Sequence, residues 1–298
     1  MPRTSANGVE IDYEVFGLPA DRPLFLLRGL GTQRIQWHPG FCQRLVQAGH
    51  RLVVFDNRDA GLSTHLHGAG RPDLARLFEA QKAGQTPEVP YTLDDMADDV
   101  VGLMDALALE SAHVAGISMG GMITQTLGYR HPDRVRSLVS IMSSTGNPAL
   151  PPPTREAMEA LMTPSPAERG AYIDHSLHTA RVIGSPGYPL DDEAHRELAG
   201  RCFDRSFDPG GVARQFAAIQ AHGDRRPGLR RVAAPTLVIH GLGDPLVSLE
   251  GGRDTAQAIP GAELVEIPGM GHDLPPGLFG TLADAISAHT EKAEAGRA

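Results

Sequence analysis

Residues 9–15 alternate apolar and polar side chains, the period of a half-buried antiparallel strand. Residues 24–27, 51–55, 113–117 and 135–142 are instead short, nearly continuous apolar runs, as expected of strands covered on both faces. Helix-period stretches separate them at 40–48, 93–107 and 119–129. This rhythm predicts a mostly parallel sheet wrapped by helices. It stops at residue 147, where Pro148 and Pro151 to Pro153 form a breaker cluster. The segment 147–231 has no β-branched strand run, but it reads as helical at 155–162, 166–180, 193–206 and 211–222. Strand patterns resume at 235–240 and 262–267, and a helix follows over 278–292. The fold class expected is therefore α/β. Residues 1–146 and 232–298 would form the core, and 147–231 a helical insertion, a cap over one end of the sheet.

Composition narrows the picture. Apolar residues make up 41% of 298, enough for a sizeable core, while 34 Gly and 24 Pro suggest many turns between short elements. A net charge of −9 argues against nucleic-acid binding, which wants a basic face. Asp94, Asp95, Asp98 and Asp99 are expected to be a solvated helix start, favourable to the positive end of the helix dipole. Cys42 and Cys202 are too few for a disulfide framework and read as reduced core thiols. No segment approaches the ~20 apolar residues that span a bilayer, and no signal peptide is visible, so a cytoplasmic location is expected.

The chemistry centres on Gly116-Ile117-Ser118-Met119-Gly120, a G-x-S-x-G pentapeptide placed between a predicted strand and a predicted helix. A sharp turn there would strain the serine backbone and crowd the positions two residues either side, so both must be small. It would also lift the hydroxyl above the sheet edge, next to the unpaired N–H groups of a new helix.

Serine needs a base. Of 13 histidines, His272 stands in a Gly-rich loop between the last predicted strand and the last helix, where an imidazole can reach the sheet edge. His113 and His131 suit capping or solvent-facing roles, and His65 and His67 read as solvated, with no third metal ligand nearby. No metal and no cofactor is implied. The base needs an orienting acid. Asp244 follows the penultimate predicted strand, whereas the loop after residue 142 offers only Ser143, Ser144 and Thr145. The backbone N–H groups of Met119 and Leu30, the latter in Arg28-Gly29-Leu30-Gly31, are the expected oxyanion donors. Trp37, Met158, Met162, Tyr172 and Tyr188 are candidates for lining a substrate pocket.

These motifs, with Gly241-Leu242-Gly243-Asp244 and Gly269-Met270-Gly271-His272, resemble those of α/β-hydrolases over nearly the whole chain. The order Ser, Asp, His is also theirs. Leu30-Gly31-Thr32-Gln33 with Trp37, the block from Phe55 to Ser63 and the block from Ile267 to Pro275 are similar to actinobacterial esterases of the lipase G type and to aclacinomycin methylesterases. The resemblance implies a carboxylic-ester hydrolase with a helical cap, acting on a small-molecule ester without a cofactor. It also implies structural roles for Asp56 and Arg58. One departure is plain: many members carry His where this chain has Arg28. Thioester, phospholipid, lactone or perhydrolysis chemistry could use the same residues, and a ligand-binding receptor is the non-enzyme alternative. A homodimer is left open.

Overall fold

The computed structural model describes residues 2–83, 85 and 87–297. Eight strands, β1 (Arg3–Ala6), β2 (Val9–Phe16), β3 (Arg22–Leu27), β4 (His50–Phe55), β5 (Ala112–Ile117), β6 (Val135–Ile141), β7 (Thr236–Gly241) and β8 (Glu263–Ile267), form one sheet. Their order is β1-β2-β4-β3-β5-β6-β7-β8. β1 and β2 run antiparallel to their neighbours, and every pair from β4 to β8 is parallel. The chain thus goes from β3 outward to β4, then returns to the other side of β3 with β5. That reversal opens a crevice at the carboxyl ends of β3 and β5, where open α/β sheets bind ligands.

The helices are α1 (Pro39–Gln47), α2 (Leu74–Lys82), α3 (Leu93–Ala106), α4 (Met119–Arg130), α5 (Arg155–Met162), α6 (Arg169–Ile183), α7 (Asp192–Arg205), α8 (Pro209–His222), α9 (Arg226–Leu229), α10 (Leu249–Ala258) and α11 (Phe279–Ala295). Strand alternation sends side chains to two separate core layers. Phe25, Val53 and Val114 face α3 and α4 through Met96, Val100, Leu103 and Ile123. Leu24, Leu26, Val54 and Ile239 face α1 and α11 through Phe41, Leu45, Leu282 and Ile286. The pattern-derived strands and helices recur with shifts of a few residues at their ends. β1, α2, α9 and α10 are additional to them.

The segment 147–231 contains α5 to α9 and no strand. Helices α6 and α7 pack on one another, and α8 reaches α2 and α3. Leu229 of α9 belongs to the core layer under α4. Buried ion pairs tie the insertion to the sheet: Arg205 of α7 contacts Asp12 at 2.7 Å and Asp56 at 2.6 Å, and Arg214 of α8 contacts Asp59 at 2.7 Å. Asp56 also accepts the Arg34 and Leu62 N–H groups, and Arg58 pairs with Asp99. Asp56 and Arg58 therefore hold the loop after β4.

Three sequence expectations change. Asp99 is not solvated: it is 3% exposed, because α3 turns it toward Arg58 and Asn7, and burial lifts its carboxyl to about 6. His113 does not face solvent. It lies on the central strand β5, all of whose positions are buried, and bonds Ser137 and Glu294. His65 is half-buried against Asp208 of the insertion at 2.7 Å, a third potential metal ligand beside His67 that lies far away in sequence. Asp208 is also shared with Arg214, and the second His65 nitrogen bonds Gly61 O, so this group is satisfied by hydrogen bonds. Cys42 and Cys202 are free, buried thiols, as expected. Among the described residues no helix is long and apolar enough to cross a membrane.

Candidate active site

Ser118 sits between the end of β5 and the start of α4 with φ 54° and ψ −121°, a conformation that L-residues rarely adopt. Two glycines make the turn sterically feasible. A methyl group at Gly116 would lie 2.1 Å from Gly120 O, and one at Gly120 would lie 2.3 Å from Leu27 O. Strain of ~1–3 kcal/mol at such a residue persists only where its surroundings over-determine it. Here the Ser118 N–H donates to Ile141 O at 3.0 Å, and the Ser143 hydroxyl donates to Ser118 O at 2.9 Å. The loop after β6, which offers no carboxylate, holds the turn instead.

His272 reaches the hydroxyl from the loop after β8. Its Nε2 is 3.0 Å from Ser118 Oγ, and its Nδ1 is 2.7 Å from Asp244 Oδ2. Asp244 comes from the loop after β7, and the two loops are joined by the Gly243 N–H donating to Met270 O at 2.9 Å. The other Asp244 oxygen accepts the N–H groups of Leu246 and Val247 at 2.9 and 2.8 Å. The carboxylate side chain is fully buried, so its orientation is fixed from both oxygens. His272 is 9% exposed, and its backbone N–H donates to Ile183 O at the end of α6, 2.7 Å away. Residues 118, 244 and 272 therefore form one hydrogen-bonded chain at the carboxyl ends of the strands.

The loop after β3 runs past the hydroxyl. A methyl group at Gly29 would stand 3.6 Å from Ser118 Oγ. Among the described residues, neither the Leu30 N–H nor the Met119 N–H donates to any protein acceptor. The neighbouring Gly31 N–H is occupied: it donates to Gln215 Oε1 at 2.8 Å, while Gln215 Nε2 donates to Arg58 O at 2.7 Å. Gln215 lies on α8 and is fully buried. No motif marks it in the sequence; its partners are 184 and 157 positions away.

The proposed pocket residues spread more widely. Trp37 is 4% exposed and stacks on Phe41, with the Arg28 guanidinium 4.9 Å above its ring. Tyr172 packs against Phe203 and Phe207 inside the insertion, at ring distances of 5.2 and 5.8 Å. Tyr188 lies against Gly269 and Gly277, close to the His272 loop. Met158 is half-buried on α5, and Met162, 36% exposed, lies at the outer end of that helix.

The sheet order and the strand–serine–helix turn define the class: the chain belongs to the α/β-hydrolase fold family, whose model matches residues 22–275, and is an enzyme of the hydrolase type. It is similar to rhodomycin D methylesterase DauP of Streptomyces sp. strain C5, at 31% identity over 94% of each chain. It is also similar to 3-oxoadipate enol-lactonase 2 of Acinetobacter baylyi, at 28% identity over 84% of this chain and 81% of that protein. The crystal structure of the enol-lactonase from Burkholderia xenovorans LB400 matches 99% of this chain and 100% of its own, with a TM-score of 0.68 at 27% identity.

Proposed function

We propose that this hydrolase cleaves carboxylic esters through an acyl-enzyme, with Ser118 as nucleophile, His272 as general base and then acid, and Asp244 as the group that orients the imidazole. The observation that carries this reading is the unbroken chain Asp244–His272–Ser118, at 2.7 and 3.0 Å, beside two free backbone N–H groups. Ser118 Oγ attacks the ester carbonyl while its proton passes to Nε2 of His272. The oxyanion formed is held by the Leu30 and Met119 N–H groups, donors that need no reorganisation as charge develops. The Nε2 proton then goes to the alkoxide as the C–O bond breaks, leaving Ser118 acylated. Water, deprotonated by the same nitrogen, attacks the acyl carbon, and the acid leaves as Ser118 regains its proton. Throughout, the Nδ1–H donates to Asp244 and the imidazolium is stabilised by its charge.

Residues 147–231 serve in this reading as a cap. Its support is the way they touch the machinery: Ile183 O receives the His272 N–H, and Gln215 fixes the residue after Leu30. The substrates are small to medium esters, Trp37, Tyr172 and Tyr188 supplying apolar walls and Met158 and Met162 a more outlying edge. The likeness to a methylesterase and to an enol-lactonase supports an ester bond, open-chain or cyclic, as the group cleaved. The test is a p-nitrophenyl ester series of increasing acyl length, assayed with wild type, Ser118→Ala and His272→Ala. Short esters are expected to be turned over by wild type and to lose ~10⁶ in kcat in each variant. Equal rates in wild type and Ser118→Ala would overturn the assignment.

A further inference from the structure

Arg28 is the residue that departs from the family pattern, and its surroundings are incomplete. It directly precedes Gly29, where an added methyl group would stand 3.6 Å from Ser118 Oγ. Its guanidinium lies over Trp37 and makes two long bonds to neutral oxygens, Nε to Thr32 Oγ1 at 3.3 Å and Nη1 to Gln36 O at 3.4 Å. Nη2 makes no hydrogen bond and retains accessible surface. Among the described residues no carboxylate pairs with it.

The nearby acids are engaged elsewhere. Asp12 is held by Arg34 and Arg205, Glu14 by Arg34, and Asp56 by Arg205 and two backbone N–H groups. The groups that act on Arg28 electrostatically are Cys42 and Cys202, and burial pushes both thiols up to about 11, so they are neutral at pH 7. Burial also pulls the guanidinium down to about 10, which leaves it protonated. A half-buried cation without a counter-ion is still costly to maintain. Its cation–π contact with Trp37 offsets part of that cost but supplies no counter-charge. A guanidinium stacked on an indole face still presents in-plane N–H donors in the fork geometry that matches a carboxylate.

We infer that Arg28 is a specificity residue that binds a carboxylate on the substrate, so that the preferred ester carries a free acid group a few bonds from the carbonyl attacked by Ser118. The proposal rests on the ester-hydrolase reading above and deepens it. The acid group would supply at Arg28 the charge that the protein leaves out. The same geometry suits a half-ester of a dicarboxylic acid or a lactone with a carboxylate arm.

The experiment compares isosteric substrates: p-nitrophenyl half-esters of succinic, glutaric and adipic acids against the corresponding methyl p-nitrophenyl diesters. For at least one chain length, wild type is expected to favour the half-ester in kcat/KM by about tenfold to a hundredfold, the range for a charge-assisted hydrogen bond. Arg28→Met is expected to collapse that ratio to about one or below, and Arg28→Lys to recover part of it, with charge but no fork. Because the readout is a ratio, a general loss of rate in a variant does not mimic the result.

A second measurement avoids substitution at Arg28 altogether. Trp37 is the only tryptophan, so monomethyl glutarate added to Ser118→Ala is expected to change its fluorescence saturably, and dimethyl glutarate at equal concentration is not. A wild type that turns over both esters with no half-ester preference at any length overturns the inference and leaves the hydrolase reading standing. So does a preference that survives in Arg28→Met. A wild type that turns over neither ester overturns both.

Discussion

Gly116 shows how narrow the residue-scale constraints are. A methyl group there meets Gly120 O at 2.1 Å and Gly120 C at 2.3 Å, backbone atoms that cannot swing aside, and Thr124 Oγ1 at 2.6 Å. Gly116→Ala is therefore expected to cost ~3 kcal/mol or more in urea unfolding; an unchanged midpoint would mean the turn is not built as described. Asp244 is held at both oxygens, so Asp244→Asn keeps its volume while offering Nδ1 the wrong partner. It is expected to lower kcat by ~10⁴, less than the loss in Ser118→Ala, because the imidazole keeps its place but loses its tautomer. Steady-state kinetics on a short ester measures both. At this scale the sequence was informative where chemistry demands a motif: the small–x–Ser–x–small turn and the Gly-rich loop around His272 declare themselves. Gln215 and the isolation of Arg28 do not. Both depend on partners more than a hundred residues away, or on the absence of one.

Among the elements, the position of the site follows from strand order. Parallel pairing of β7 with β8 puts the Asp244 and His272 loops side by side, and the reversal between β3 and β5 does the same for Gly29 and Ser118. Apolar runs on β3 to β7 were legible because both faces of those strands are covered. β1 was not, as its four residues include only one buried side chain and its existence depends on pairing with β2. α10 was obscured by Gly251 and Gly252, poor helix formers; a methyl group at Gly252 would lie 2.6 Å from His240 Nδ1, and packing overrides propensity there. Helix α8 holds the loop after β3 through Gln215. Gln215→Leu leaves the Gly31 N–H and Arg58 O without their partner, and is expected to lose about 1–3 kcal/mol in urea unfolding. Unchanged stability would show that α8 does not secure that loop.

For the whole molecule, the insertion is bound to the core by charge pairs that no local pattern announces, Arg205 with Asp12 and Asp56 and Arg214 with Asp59, and by the hydrogen bond between His65 and Asp208. Helices α5 to α8 were readable and the one-turn α9 was not, and their docking escaped the pattern because ion pairing joins positions scattered over the chain. Burial also sets an acid response. His50, His113, His240 and His289 are buried, and burial lowers the pKa of each from its ordinary value. Below the unfolded value of about 6.5 the unfolded chain takes up protons that the fold refuses. This contribution is thus complete above that pH and is lost as the pH falls toward the folded values. Asp99 and Asp273 act oppositely, since burial raises both, but Asp99 enters only near pH 6. The melting temperature is accordingly expected to be a few degrees lower at pH 6 than at pH 7.5; a rise would contradict the assignment of these histidines as neutral.

The central claim is that Ser118 is a nucleophile activated by the chain running through His272 to Asp244. Intact-mass spectrometry after treatment with a fluorophosphonate, followed by peptide mapping, reads this without any assumption about the natural ester. The account predicts a single stoichiometric adduct on Ser118 in wild type, strongly slowed labelling in His272→Ala, and none at that position in Ser118→Ala. Stoichiometric labelling at a different residue, or equal labelling rates in wild type and His272→Ala, would contradict it.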